Sequence, residues 1–410
     1  LIALIITIIV LLILAGVALA TLTGQGNIIG NAEKVVGEYN NSVIEEQKLL
    51  NEIEKYLINN GYAEDDKTEG SKVDENGLAT ENVIIKPEEN NNTQIVIPTG
   101  FAPVILETGT TQSLPGENGN VKEIMPYEEW QNITVEDINK GIVVVDHAIT
   151  YDNGQTTGNV PDFNEYVWIP IPESSKLART AWTTTCGYDL TGNWVVAEVT
   201  HSLSKTAEIN KFWEDKTKSE YTQMVDSIIN NKGFYIGRYE ASKDSTGTIA
   251  QSKRNQETWT TLTQTDAVTA CTKNKITNAH LIYGIEWDSI LNWLIGNAII
   301  SSTEVGKTKT MEISDVQTNS YSWGNCYDSI GNALVDSGEV RFTGTSEYWK
   351  SNNIYDLAGN VGEMTQENYS TENNITIRGD SCYNDDSYSI VALRWRVDTK
   401  YTGYYDRFPY

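Results

Sequence analysis

Cysteine and histidine are the side chains that most often supply a nucleophile, a general base or a metal ligand. The four cysteines are far apart with no CxxC pair, and the three histidines are scattered: Cys186, Cys271, Cys326 and Cys382; His147, His201 and His280. This spacing predicts no histidine-built metal site, and a Cys/His or Ser/His/Asp arrangement would need distant residues to meet by chance. The sequence also has no glycine-rich phosphate loop, so we expect that the protein is not an enzyme.

The overall charge of the chain limits the partners it can have. Its 410 residues include 30 Lys and Arg against 56 Asp and Glu, which gives a formal net charge of −26. Nucleic-acid binding and polybasic membrane-surface binding both require clustered Lys and Arg, so we expect neither. Hydrophobic residues make up 39% of the sequence, enough for a sizeable core, and 11 Trp and 22 Tyr against six Phe favour β-rich folds and exposed recognition surfaces.

The first 22 residues, Leu1 to Leu22, contain no charged side chain, and the first ionisable one is Glu33. As a helix this stretch would be about 33 Å long, which is enough to cross the hydrocarbon core of a membrane. A cleaved signal peptide would have a basic start and a shorter apolar core. The stretch therefore predicts a helix that is buried in a membrane or in a bundle of helices.

From residue 32 to residue 57 the pattern becomes that of an amphipathic helix. Apolar residues recur at three-, four- and seven-residue steps with charged residues between them: Ala32, Val36, Tyr39, Val43, Leu50, Ile53 and Leu57. We therefore predict one long N-terminal helix over residues 1–60, hydrophobic at first and amphipathic later. Two interpretations stay open, a membrane anchor with a coiled stalk and a helix that packs in the core of a filament.

The stretch LIALIITIIVLLILAG resembles the mature N-terminus of type IV pilins and pseudopilins, in the variant common among Gram-positive anaerobes. The resemblance implies anchoring in the inner membrane before assembly, self-association into a homopolymer through this helix, and a place in an extracellular filament on the cell surface. The family usually carries a Glu two residues after the Leu, where it pairs with the terminal amine of a neighbouring subunit. This chain has Ala3 there, which adds weight to a minor or tip pilin, or to a plain anchor.

Residues 61–140 are predicted to be an acidic linker followed by a β-rich lead-in. Between Glu64 and Glu89 nine acidic residues face three lysines, as expected of a solvated linker. Three short apolar runs then predict strands: residues 82–85, 94–97 and 104–107. The sequence leaves open whether residues 80–140 form a sheet of their own or only lead into the next domain.

Stronger elements follow the lead-in. The runs GIVVVD (141–146) and YVWIPI (166–171) bracket a region rich in Gly, Asn and Asp, as the two strands of a long hairpin would. The run HLIYGIEWDSILNWLI (280–295) has apolar residues that can share one face of a helix. These runs predict a hairpin and one well-formed helix within a loop-rich region.

Three strings in chain order carry a second resemblance: FYIGRYE (234–240), IYDLAGNVGEMT (354–365) and IRGDS (377–381). Together they resemble the formylglycine-generating-enzyme (sulfatase-modifying factor) family, a variant of the C-type lectin fold. The resemblance implies an α+β fold class in which the N-terminal helix precedes a C-type-lectin-like domain, residues 141–410, with short strands, few helices and long loops. The chain departs from the family at Gly362 and Met364, where Trp is usual, and in its closing residues 407–409.

The oxidases of this family act through a pair of cysteines after an Arg-Gly-Gly-Ser turn, where they support copper-dependent oxygen chemistry. This chain has only Cys382 at that place, directly after Ser381. A lone cysteine among small residues is more often packed, or half of a disulfide, than a nucleophile. We therefore expect a non-catalytic member of the family.

Non-catalytic members present a ligand surface from the last stretch of the lectin fold, which corresponds here to residues 378–410. This stretch is dense in Tyr, Trp, Arg, Asn and Asp, which recognition surfaces favour. The resemblance and this composition together predict the following ligand-binding residues: Tyr383, Asn384, Asp385, Tyr388, Arg394, Trp395, Arg396, Asp398, Tyr401, Tyr404 and Tyr405. The alternative is that half of the aromatic rings fill gaps between short strands.

Asn360 and Glu363, with the backbone of Val361 between them, match a loop that binds calcium in some members of the family. Carboxylate and amide oxygens suit this hard cation. The resemblance therefore implies calcium as a cofactor, held by Asn360 and Glu363. The alternative is a buried Asn/Glu pair that holds the turn by hydrogen bonds.

These features predict a type IV pilin-like filament subunit on the cell surface that displays a lectin-like, adhesive head. The ligand of the head would be a protein or a glycan. Three alternatives stay open: a structural pilus subunit with an inert head, a membrane-anchored monomeric adhesin, and a formylglycine-generating oxidase.

Overall fold

The computed structural model describes residues 72–87, 92–108, 117–149, 162–180, 184–188, 194–198, 218–274, 276, 278–301, 308–317, 320, 340–368, 374–379, 391–392 and 394–398. The chain divides into two units between Gly70 and Ser71, and every described residue belongs to the second unit. The helix predicted over residues 1–60, with its apolar stretch Leu1–Leu22, lies outside the described residues. Within the described ranges, no helix is both long enough and apolar enough to cross a membrane.

The described residues form a mixed α+β fold with few helices and many short strands, which confirms this part of the predicted fold class. The helices are α1 (Val135–Lys140), α2 (Ser219–Asn231), α3 (Gln264–Thr272), α4 (Gly284–Leu294) and α5 (Ile313–Gln317). The strands are β1 (Val83–Ile85), β2 (Ile95–Ile97), β3 (Ala102–Thr108), β4 (Glu117–Ile124), β5 (Val143–Val145), β6 (Glu165–Pro170), β7 (Thr184–Tyr188), β8 (Trp194–Glu198), β9 (Gly233–Gly237), β10 (Ser242–Lys243), β11 (Ala250–Gln251), β12 (Ile299–Ser301), β13 (Thr308–Thr310), β14 (Lys350–Ser351), β15 (Ile354–Tyr355), β16 (Glu363–Asn368), β17 (Asn374–Arg378) and β18 (Arg394–Asp398). Single turns of 3₁₀-helix lie at Tyr127–Asn132, Ser174–Lys176 and Glu347–Trp349.

A five-stranded antiparallel sheet in the order β4-β3-β5-β6-β9 organises the domain. All six residues of β6 are buried, because its alternate side chains enter two different hydrophobic cores. Val167 and Ile169 belong to the core that contains α4, whereas Tyr166 and Trp168 belong to the core that contains β1 and β2. A strand that is buried on both faces has a continuous apolar sequence, which is why YVWIPI was recognisable.

The predicted hairpin of GIVVVD and YVWIPI is confirmed, since Val143 pairs with Val167 and Val145 pairs with Glu165. The three strands predicted in the lead-in are also confirmed, as β1, β2 and part of β3. β1 and β2 form a separate two-stranded sheet, but β3 and β4 join the sheet that contains β5 and β6. Strands from both sides of residue 140 therefore share one sheet.

The helix predicted at 280–295 is confirmed, but it begins four residues later, at Gly284. The carboxylate of Glu286 accepts a hydrogen bond from the backbone N–H of Tyr283 at 2.8 Å and so caps the first turn. His280 precedes the helix and contacts both carboxylate oxygens of Glu286 at 3.0 Å. Burial lowers the pKa of His280, but the carboxylate of Glu286 more than offsets this effect and raises the pKa to about 9. The ring is therefore a cation at neutral pH.

A second antiparallel sheet has the order β16-β17-β18. Its last strand, β18, lies within residues 378–410, the predicted ligand-binding stretch, which we call the recognition stretch. Ile375 and Ile377 of β17 pack into the same core as α4. β18 pairs with β17 along its length, and the hairpin of β7 and β8 lies beside β18. The sheet thus connects the core of the domain to the C-terminal stretch of the chain.

Gly119 marks a close contact between a strand of the lead-in, β4, and the string IYDLAGNVGEMT. This residue of β4 has a φ of +77°, and a Cβ there would overlap the hydroxyl of Tyr355 and lie 2.7 and 2.8 Å from the carboxylate oxygens of Glu347. Tyr355 belongs to the string IYDLAGNVGEMT and is buried. Only glycine fits this close approach, so the lead-in strands belong to the same folded unit as the strings.

The replacement Gly119→Ala tests this packing. Left-handed strain and overpacking against Tyr355 together should lower the free energy of unfolding by about 3 kcal/mol or more. Gly100→Ala is the matched control, because Gly100 has a similar φ of +83° but no atom within 4 Å of an added Cβ. That control should cost only about 1–2 kcal/mol. Equal losses in chemical denaturation of residues 71–410 would show that β4 does not close over Tyr355.

Candidate functional site

The three strings of the second resemblance converge at one place. The first string runs along β9 and ends at Glu240, and the second crosses the end of β9. The N–H of Tyr355 donates to the carbonyl oxygen of Arg238 at 2.9 Å, and the N–H of Val361 donates to the carboxylate of Glu240 at 3.1 Å. We call this meeting point the motif junction, and it comprises residues 238–240, 355–363 and 379.

The third string enters the motif junction through Gly379, which has a φ of +73°. A Cβ at this position would overlap a carboxylate oxygen of Glu363 and lie 2.9 Å from the carbonyl oxygen of Leu357. The turn after β17 therefore packs directly on the second string, and only glycine allows this contact.

Two buried carboxyl groups, those of Glu240 and Asp356, form the acidic half of the motif junction. Glu240 accepts hydrogen bonds from the amide of Asn360, from the N–H of Val361 and from the hydroxyl of Thr258. Asp356 accepts from the N–H of Gly344 at 3.2 Å. Burial raises the pKa of both groups, and repulsion from Asp356 adds to the increase at Glu240. Burial and mutual repulsion therefore both disfavour two negative charges in this half of the junction.

The other half of the motif junction is an aromatic and cationic layer. The rings of Tyr239 and Tyr355 stack with centroids 4.9 Å apart. The guanidinium groups of Arg238 and Arg254 both lie 5.4 Å from the centroid of Tyr355, and the two arginines pair with Glu165 and Glu347 respectively. These ion pairs and cation–π contacts satisfy the charges of the layer within the protein, so the layer has a structural role.

A second buried cluster, which we call the four-charge network, joins distant parts of the chain: Arg179, Asp288, Glu367 and Arg378. Arg179 lies 2.7 Å from Asp288 and 2.8 Å from Glu367, and Arg378 also pairs with Asp288. The four side chains are at most 5% exposed. The network ties the segment before β7 and the last residue of β17 to α4.

The structure places four of the predicted ligand-binding residues together on β18. Arg394, Trp395, Arg396 and Asp398 lie opposite Arg378, Ile377, Thr376 and Asn374 of β17, in that order. The other seven lie outside the described residues: Tyr383, Asn384, Asp385, Tyr388, Tyr401, Tyr404 and Tyr405. Four of the predicted residues thus lie on one strand, which pairs with the strand that ends at Arg378 of the four-charge network.

The predicted calcium ligands Asn360 and Glu363 both lie in the motif junction, and both are buried. Asn360 adopts a left-handed backbone conformation with a φ of 60°, and its side chain bonds to Glu240 and to the backbone of Arg341. Across the described ranges, no group of three or more His, Cys, Asp and Glu side chains is arranged to hold a metal ion.

Two of the four cysteines, Cys186 and Cys271, lie within the described ranges. Cys382 lies outside the described residues, and Cys186 lies on β7. Cys271 of α3 is a free thiol, and burial raises its pKa to about 12. At neutral pH this group is a protonated thiol, which is a poor nucleophile.

Sequence reasoning missed several residues of these clusters. Glu240 and Asp356 stand inside the strings that carried the second resemblance, so their positions were visible although their pairing was not. The four-charge network left no signal, because Arg179 is 109 residues from Asp288 and 188 residues from Glu367 in the chain. Only the fold brings such distant charges together.

Comparison of the chain with protein-family models, with curated proteins and with solved structures gave no match. The two resemblances therefore rest on the strings and the N-terminal stretch quoted above.

The replacement Asp288→Asn tests the four-charge network. It leaves two buried arginines with Glu367 as their remaining partner in the network, and should lower the free energy of unfolding by about 3–5 kcal/mol. The matched control is Glu136→Gln, which breaks the exposed pair of Glu136 and Lys140 and should cost at most about 0.5 kcal/mol. Chemical denaturation at low and high salt measures both variants. A small loss in Asp288→Asn, comparable to the control, would contradict the assigned role of the network.

Proposed function

We propose that this chain is a type IV pilin-like subunit of a cell-surface filament that displays a C-type-lectin-like head for ligand binding. The observation that carries the proposal is the stretch Leu1–Leu22, which is free of charge and leads into an amphipathic segment. Such a stretch suits a membrane before assembly and the apolar core of a homopolymer afterwards. The acidic residues of the linker then keep the head in solvent.

The described fold supports the proposal of a lectin-like head of the formylglycine-generating-enzyme type. Three separate strings, at 234–240, 354–365 and 377–381, meet at one buried motif junction, as they would if they were the framework of that fold. Short strands and long connections, with few helices, agree with the same architecture.

Ligand binding is assigned in this proposal to the stretch that follows β17, with an unidentified protein or glycan as the ligand. The four-charge network fixes Arg378 at the end of β17, so the stretch begins from a rigid point. Rigid support lowers the entropy cost of binding, and Tyr-rich stretches supply contact area with few rotatable bonds. We assign no catalytic activity to the head, because the second cysteine of the family's oxidases is missing after Ser381.

One observation favours a second candidate, a membrane-anchored monomeric adhesin. Ala3 stands where pilins usually carry the Glu that pairs with a neighbouring subunit. In this alternative the head binds its ligand in the same way, but the N-terminal helix stays in the membrane.

Negative-stain microscopy of material sheared from cells separates the two candidates. We expect filaments that antibodies against residues 72–410 label along their length. The variant Leu11→Lys places a charge in the apolar stretch and should abolish the filaments, whereas Leu11→Ile should preserve them. Detergent-soluble single particles without filaments, from the unchanged chain, would overturn the filament and leave the anchored adhesin.

The recognition stretch can be tested with a glycan array and an array of extracellular-matrix proteins, probed with the full chain in detergent. For any ligand found, Tyr401→Ala, Tyr404→Ala and Tyr405→Ala should weaken binding, by roughly tenfold or more where the ring is an anchor.

The matched control for these variants is Phe342→Ala, which removes an aromatic ring that is 59% exposed outside the recognition stretch. Binding should stay unchanged in this control. If the three tyrosine variants bind as the unchanged chain does, the ligand site lies elsewhere on the head.

A further inference from the structure

We propose that the loop from Ala358 to Glu363 is closed by hydrogen bonds within the protein and takes no calcium, in contrast to what the family resemblance implies. Instead of a cation, the carboxylate of Glu240 accepts the hydrogen bonds that the loop donates, from the amide of Asn360 and the N–H of Val361. The inference is independent of the proposed function, because it concerns only how the motif junction is held together.

The first support is the orientation of the Asn360 amide. The side-chain oxygen, which is the atom that could bind calcium, accepts a hydrogen bond from the backbone N–H of Arg341 at 2.8 Å. The side-chain nitrogen faces three acceptors, the carboxylate of Glu240, the hydroxyl of Thr258 and the carbonyl oxygen of Arg341. The partners fix this orientation, since an N–H needs an acceptor and a carboxylate needs a donor. Asn360 therefore offers a donor, and not a ligand, to the centre of the loop.

The second support is the set of groups that point at Glu240. The N–H of Val361 donates to one carboxylate oxygen at 3.1 Å, and the hydroxyl of Thr258 donates to the other at 3.2 Å. Together with the amide of Asn360, these three donors present the positive ends of their dipoles to the same place. A calcium ion needs six to eight oxygen ligands, and it would be repelled by donors arranged in this way.

The third support is the position of Glu363. Its carboxylate packs against Gly379, where even an added Cβ would overlap it. Every residue from Ile354 to Thr365 is buried, and Met364, which replaces the usual Trp, packs in the hydrophobic core. The loop is thus buried along its whole length, and the turn of the third string packs on the Glu363 side chain.

The experiment is thermal unfolding of the full chain in detergent, in 20 mM calcium chloride (about twenty times the Kd of weak extracellular calcium modules, or more) and in excess chelator. The proposal predicts midpoints that agree within about 1 °C, whereas a specific site would raise the midpoint by several degrees. Magnesium chloride at the same concentration corrects for the screening of the net charge of −26. A calcium-specific, saturable increase that Glu363→Gln removes would overturn the proposal.

A second variant shows which group closes the loop. Glu240→Gln exchanges one of the two acceptor oxygens for an amide nitrogen that can only donate, so it should lower the unfolding midpoint by the same amount in calcium and in chelator. Glu257→Gln is the matched control, because it makes the same chemical change at an exposed position next to Thr258 and should leave the midpoint unchanged. If calcium restores the midpoint of Glu240→Gln, or if that variant unfolds like the control, the loop is not closed by Glu240.

Discussion

The hydrogen bonds that converge on the buried carboxylate of Glu240 are the constraint on which the rest of the described domain depends. The loop after β15 has no partner strand, so its backbone and side-chain donors need another acceptor. Glu240 supplies it, for the N–H of Val361 and the amide of Asn360. Without that acceptor the buried N–H of Val361 would lose the partner it has here, which costs about 1–3 kcal/mol. Glu240 lies three residues after the last residue of β9, Gly237, so the five-stranded sheet fixes the position of the acceptor and, through it, that of the loop.

The same principle explains why so many charges are buried in an acidic, loop-rich protein. Long connections lack the regular hydrogen bonds of helices and sheets, so side chains must fix their positions. Glu165 and Arg238 do so beside the tyrosine stack, and the four-charge network does so around α4. Partly satisfied charges would be strongly unfavourable in these surroundings, and alternative arrangements of the loops would leave them so. The buried pairs therefore select one arrangement of the connections, even where their net contribution to stability is small.

The sequence predicts those parts of the fold whose signals are local. The hairpin of β5 and β6 follows from two apolar runs, and α4 follows from its periodicity, although its first residue is set by the cap that Glu286 provides. The pairing of β3 with β5 could not be predicted, because the strands lie in regions of different composition and the ladder depends on tertiary contacts. For the candidate site, Asn360 and Glu363 could be named from a string. Their roles depend on Glu240, Arg341 and Gly379, which are remote in the chain.

The division between framework and surface bears on how such a head could recognise a ligand. The side chains of the motif junction and of the four-charge network are committed to one another, so they are not free to contact a partner. Arg378 is the last residue of β17 and is held by Asp288, and the third string continues from it through Gly379. Beyond this point, β18 still pairs with β17, and Val391 and Ala392 still pack in the hydrophobic core. A recognition stretch placed there would keep the fold the same only if it varied at residues that make none of these framework contacts.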